Sequence, residues 1–275
     1  MTVQGWGRTA LDYVPCSYGG SRVLFRGPKR EPVGDYVVCL GGTETFGRFI
    51  VTPFPELLEG ALGLPCINLG VPNAGVDLFL NEPAILDIAR CARAVVVQAT
   101  GAQNVTNGLY SVHPRRNDRF LRAAPALGAL FPEVDFTEVH FTRHLLAALA
   151  QAGPRRFEEV RRELHRAWTA KMTRLLVEID APTLLLAFGR DPLPDRADTG
   201  QGGAGLLDRQ RLDSLRPQAD AVIEVSASRQ ALAEGTLDMV FHDGEMAAAA
   251  VLPGPLAHDE VADAIEPELR RLARL

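Results

Sequence analysis

An apolar run near the start of the chain, Val37-Val38-Cys39-Leu40, gives way to Gly41-Gly42-Thr43-Glu44-Thr45-Phe46-Gly47. A strand that stops in small residues and turns into a helix sets the Thr43 hydroxyl at the carboxyl edge of a sheet. Open α/β sheets bind their ligands at that edge, and a nearby helix start offers free N–H groups to an anion. The plainer alternative is a tight turn with glycine for backbone reasons. A second group, His113-Pro114-Arg115-Arg116-Asn117-Asp118-Arg119, has three arginines in five positions. Such a cluster, with Arg22 and Arg26 upstream, can grip a phosphate, sulfate or carboxylate bidentately, or simply form a solvated basic loop. His140 and His144 have the four-residue spacing that on a helix can place two imidazoles on one metal. No carboxylate stands where a zinc protease needs its base, and no metal is expected. His165 falls on a charged helical stripe and His242-Asp243-Gly244 on a turn.

These residues need elements to hold them. Residues 1–35 are irregular and read as an arm packed along the body. Strands are expected over 36–40, 65–70 and 94–99, separated by helices over 54–62 and 78–91. The strands show no polar alternation, as befits strands covered on both faces of a parallel sheet. Right-handed crossovers then bring the strand ends at Thr43, Gly70 and Gly101 to one rim. Residues 112–120 read as a polar, basic loop, and helices are expected over about 137–151 and 155–179. A fourth strand at 182–188, a loop over 190–207, a fifth strand at 221–225 and a helix over about 258–274 complete the chain. The expectation is one domain over residues 1–275, with an insertion at about 111–180 lying over the rim as a lid.

The chain has 275 residues, 47% of them hydrophobic and 23% charged, with a formal net charge of −5. That charge argues against nucleic acid as a partner. No basic start with an apolar stretch opens the sequence, and no apolar run reaches membrane-spanning length; the reading is a cytoplasmic protein with no membrane span. The cysteines at 16, 39, 66 and 91 contain no C-x-x-C pair and read as buried free thiols. No cofactor is expected.

Four blocks in order give a resemblance to the SGNH, or GDSL, hydrolase superfamily. Its G-D-S-x-T-x-G block is echoed by Gly41–Gly47, its oxyanion glycine after the second strand by Gly70 within Ile67–Gly75, its G-x-N-D block by Gly101-Ala102-Gln103-Asn104, and its D-x-x-H block by Pro255-Leu256-Ala257-His258. The resemblance covers about 36–110 and 182 to the end. It implies an α/β, flavodoxin-like (SGNH-like) three-layer sandwich of about five mostly parallel strands with a helical insertion after strand three. It also implies ester hydrolysis or acyl transfer on a small-molecule, glycan or lipid-type substrate. Thr43 would attack in place of serine, His258 would be the base, and Gly70 with Asn104 or Gln103 would hold the oxyanion. Gly42, Thr45 and Asn73, with Arg115, Arg116 and Arg119, would contact a substrate, an anionic one if the arginines engage. The departures are Thr43 for serine, Gly42 for an aspartate, and Pro255 where the family orients its histidine with aspartate; Asp191 or Asp195 would have to substitute. The competing expectation is a catalytically degenerate binding protein on the same fold, holding an anionic sugar or lipid headgroup.

Overall fold

The computed structural model describes residues 11–195 and 206–275; the first ten residues of the expected arm and residues 196–205 of the expected loop lie outside them. Among the described residues seven strands occur in chain order: β1 (Val37–Gly41), β2 (Cys66–Gly70), β3 (Ala94–Gln98), β4 (Tyr110–His113), β5 (Arg116–Ala123), β6 (Thr183–Gly189) and β7 (Ala221–Ser226). Five of them form one parallel sheet in the order β2-β1-β3-β6-β7, with Val38 beside Ile67 and Val95 in register. With the hairpin strands set aside, this is the flavodoxin-like order, whose direction reverses between the first and third parallel strands. A three-layer α/β, flavodoxin-like sandwich follows.

Side-chain alternation along β1 explains both layers. Val38 and Leu40 pack on one face with the helices Val76–Leu80, Pro83–Arg90 and Pro154–Ile179. Val37 and Cys39 pack on the other with the helices Phe54–Leu62 and Pro255–Ala273. Each fully buried Val or Leu contributes about 1.5–3 kcal/mol, which is why these strands carry no polar face. Cys39 and Cys66 lie in this sheet as free thiols, and burial pushes both up, Cys66 to about 12. Cys16 is half-buried and Cys91 exposed, so only two of the four cysteines meet the expectation of burial.

Three expectations are corrected. The single helix expected over 78–91 is two, Val76–Leu80 and Pro83–Arg90, because Pro83 has no N–H to continue the ladder and pushes Glu82 out of helical geometry. The basic stretch 112–120 belongs to the antiparallel β4–β5 hairpin rather than to a loop. His140 precedes the helix Thr142–Ala152, so His140 and His144 do not share a helical face.

The insertion is tied inward by specific polar contacts. Asn117, buried on β5, accepts the N–H groups of Gly75 (2.9 Å) and Leu78 (3.1 Å) and donates to the carbonyls of His113 (2.9 Å) and Pro114 (3.2 Å). Trp168 is buried on the long helix and donates its indole N–H to the Thr100 carbonyl at 2.7 Å. Trp168→Phe is expected to cost about 1–3 kcal/mol, since it strands a buried carbonyl while leaving most of the packing in place. Urea unfolding measures it, and an unchanged midpoint would show that the carbonyl finds water instead.

Candidate functional site

Gly41 ends β1, and Thr43–Phe46 makes a single helical turn closed by Gly47 in the left-handed region (φ 70°). This elbow lies so close to β2 that a Cβ on Gly70 would collide with the Phe46 backbone nitrogen, so glycine at 70 is required by packing. The Thr43 hydroxyl accepts the Asn73 N–H at 3.0 Å. Below it, Gln98 at the end of β3 gathers the elbow. Its Oε1 accepts from the Gly42 N–H (2.9 Å), the Thr45 N–H (3.3 Å) and the Thr45 hydroxyl (2.6 Å). With that oxygen committed, the Gln98 amide nitrogen turns outward and donates to Glu44 Oε2 at 2.8 Å.

A cleft of about 350 Å³ opens above these groups at the carboxyl rim of the sheet. Thr43, Asn73, Gln103 and Asn104 line it, together with the segment from Arg190 to Pro194 after β6. The structure brings Gly42, Thr43, Asn73, Gln103 and Asn104 together on one cleft, beside Gln98, Glu44 and Thr100, which the sequence did not single out. Gln98 did leave a signal, a lone amide closing the apolar run Ala94–Val97. None of residues 111–180, expected over the rim, is among the cleft-lining residues, and the long helix Pro154–Ile179 packs into the core on one face of the sheet.

The donors expected to hold an oxyanion are already engaged. The Gly70 N–H points at Asn68 Oδ1 (2.9 Å). Asn104 donates its Nδ2 to the Asn73 carbonyl (2.8 Å) and accepts from the Thr142 hydroxyl (2.7 Å). Thr45 is fully buried and spent on Gln98, so it cannot touch a ligand. Gln103 differs: its Oε1 is buried with no partner, as is the Thr100 hydroxyl oxygen.

His258 is not brought to Thr43. It sits in the first turn of the helix Pro255–Ala273, 1% exposed, outside the cleft lining. Its ring stacks on Phe54 (centroids 6.1 Å apart) and meets Phe188 edge-on (5.2 Å). The Phe54 N–H donates to its Nδ1 at 3.1 Å. A neutral imidazole with Nδ1 accepting carries its proton on Nε2, so neither nitrogen has a lone pair free for a hydroxyl proton. Desolvation, aided by the nearby Arg26 charge, pulls its pKa down to about 3. Among the described residues no carboxylate pairs with it; Asp191 lines the cleft and Asp195 pairs with Arg209.

The arginines also lie elsewhere. Arg115 pairs with Glu82, Arg119 lies over the Phe141 ring, Arg116 is exposed on the hairpin, and none lines the cleft. Arg22 is exposed, whereas Arg26 is buried beneath the elbow. His165, expected in solvent, is buried, and burial lowers its pKa. His242 caps a turn through a reciprocal pair with Glu245.

No helix of the described residues is long and apolar enough to cross a membrane. No curated protein matches the chain in sequence. Among solved structures, a catalytic mutant of the acetylxylan esterase Axe2 from Geobacillus stearothermophilus is 12% identical with a TM-score of 0.45, the match covering 86% of this chain and 94% of that one. A putative lipolytic protein of the G-D-S-L family from Desulfitobacterium hafniense DCB-2 is 12% identical with a TM-score of 0.42, covering 84% and 98%. A carbohydrate esterase family 2 enzyme from Corynascus thermopiles (Myceliophthora fergusii) is 11% identical with a TM-score of 0.44, covering 91% and 70%. Likenesses this distant carry no argument about activity. The sequence itself matches, over residues 1–273, the model of a family described as a domain of unknown function (DUF6473), and the chain belongs to that family.

Proposed function

We propose that this chain binds a small polyhydroxylated ligand of the sugar type in the rim cleft and does not run histidine-assisted acyl transfer. The observation that carries this reading is the acceptor role of His258 Nδ1 toward the Phe54 N–H, which leaves the expected base without a free lone pair. The Gly70 N–H likewise goes to Asn68, and Asn104 gives one of its two amide N–H groups to the Asn73 carbonyl. What remains in the cleft is a set of amides and hydroxyls with the carboxylates of Glu44 and Asp191 and the guanidinium of Arg190, the chemistry that exchanges hydrogen bonds with a polyol. A grip on an anion by Arg115, Arg116 and Arg119 is not part of this reading, since all three lie outside the lining.

One observation favours a second reading, ester hydrolysis with Thr43 attacking: its hydroxyl does line the cleft, held by the Asn73 N–H. Glu44 or Asp191 would then have to take the proton. Calorimetric titration with simple sugars and turnover of p-nitrophenyl acetate decide between the two. Sugar binding with no turnover above buffer is expected, and Thr43→Ala is expected to change affinity by about threefold or less, as befits one hydroxyl at the cleft wall. Turnover that disappears in Thr43→Ala would overturn the binding reading in favour of the hydrolase.

A further inference from the structure

We propose that the cleft prefers a ligand bearing a protonated amine, an aminated polyol such as an amino sugar, held by Glu44, Gln103 and Thr100. The inference rests on the cleft's being a binding site and adds the sign of charge that it selects. Gln103 Oε1 can only accept a hydrogen bond, and it is buried without a partner. An orphaned buried acceptor destabilises the site, so the ligand atom that relieves it must be a donor. Thr100, 4% exposed, holds a second unpartnered oxygen in the same lining.

Glu44 gives that donor a reason to be charged. Its carboxylate receives the Gln98 amide, a neutral donor, and among the described residues no lysine, arginine or histidine pairs with it. Gln98 cannot swing away to offer its oxygen instead, because that oxygen already accepts three hydrogen bonds from the elbow. Glu44 and Thr100 both flank Gly42 in the cleft lining. A Cβ placed on Gly42 would stand 3.4 Å from Glu44 Oε2 and 3.7 Å from the Thr100 methyl, and the bare glycine leaves that space to a ligand. Asp191 also lines the cleft. Arg190, also in the lining, gives one N–H to the Ala250 carbonyl at 2.8 Å and keeps its charge, so the lining sets two carboxylates, Glu44 and Asp191, against one guanidinium. An ammonium seated between these acceptors satisfies them with charge-assisted bonds, whereas a carboxylate or phosphate would meet like charge and orphan acceptors.

Three probes on one scaffold test the sign: glucosamine, glucose and glucuronate, titrated calorimetrically into the full chain at neutral pH. Glucosamine is expected to bind about tenfold tighter than glucose, and glucuronate weaker than both. Glu44→Gln and Gln103→Leu, both of side chains that face the cleft, should each cut the glucosamine advantage to about threefold or less while glucose still binds. Glucuronate binding as tightly as glucosamine, or a glucosamine preference that survives Glu44→Gln, would overturn the inference and leave the binding reading intact. Failure of all three sugars to bind would bring down both.

Discussion

Arg26→Ala is expected to lower the free energy of unfolding by about 3–5 kcal/mol, although residue 26 lies in the irregular arm and touches no ligand. The guanidinium fork is buried under the elbow. Its Nη1 donates to the carbonyls of Phe46 (3.3 Å) and Gly47 (2.7 Å), and its Nη2 to those of Ile50 (2.8 Å) and Val51 (2.7 Å). The Tyr13 ring lies 5.4 Å from it. Truncation strands these carbonyls together at the spot where the chain leaves the Thr43 turn. Arg26→Lys should recover only part of the loss, because an ammonium has no planar fork to span two pairs of carbonyls. Urea unfolding followed by circular dichroism reads both variants. A loss below about 1 kcal/mol for the alanine variant would mean that water replaces the fork and that the arm does not hold the elbow.

The second large effect is one of pH. His258 keeps its proton off down to about pH 3 in the folded chain, against an ordinary 6.5 in the unfolded chain. Between those values the unfolded state binds a proton that the folded state refuses. Stability is therefore complete above about 6.5 and falls as the pH drops below it, by about 1.4 kcal/mol per unit. Passing from pH 7 to pH 5 should cost about 2 kcal/mol. The groups around the ring explain the shift: Phe54 and Phe188 exclude water, and Arg26 is the charge that acts on it. His165, lowered by burial, adds a contribution of the same sign. The salt-bridged carboxylates Glu59, Glu163 and Glu224 are depressed instead and lose their contribution only at lower pH, below the ordinary glutamate value of 4.5. His258→Gln keeps an acceptor for the Phe54 N–H and should flatten most of the slope between pH 7 and 5. A parent protein equally stable at both pH values would show that the imidazole reaches water.

The contrast between what was legible and what was not has a physical basis. The parallel strands were readable because double-sided burial leaves no choice but an unbroken apolar run, as in Val37–Leu40 and Ala94–Val97. The rim was readable too, since strand ends in a parallel sheet share an edge, and Thr43, Asn73 and Asn104 do line one cleft. The direction of polar side chains was not. Nothing in the order of residues says that the Gly70 N–H turns to Asn68, or that His258 faces Phe54 rather than Thr43; both follow from packing between segments far apart in the chain. The β4–β5 hairpin escaped because its exposed arginines mask the buried Asn117 and Phe120 that give it an inner face. Arg26 escaped for the opposite reason, a charged residue in a Gly- and Pro-rich stretch that reads as surface yet lies inside.

The placing of the sulfurs sets how the molecule meets reactive small molecules. Thiolate is the attacking species, and in Cys39 and Cys66 the sheet both hides the atom and suppresses its ionisation. Alkylating reagents and oxidants are thus directed to Cys91, exposed at the end of the helix Pro83–Arg90 and separate from the cleft lining. A dye carried there would report on the protein without entering its cleft.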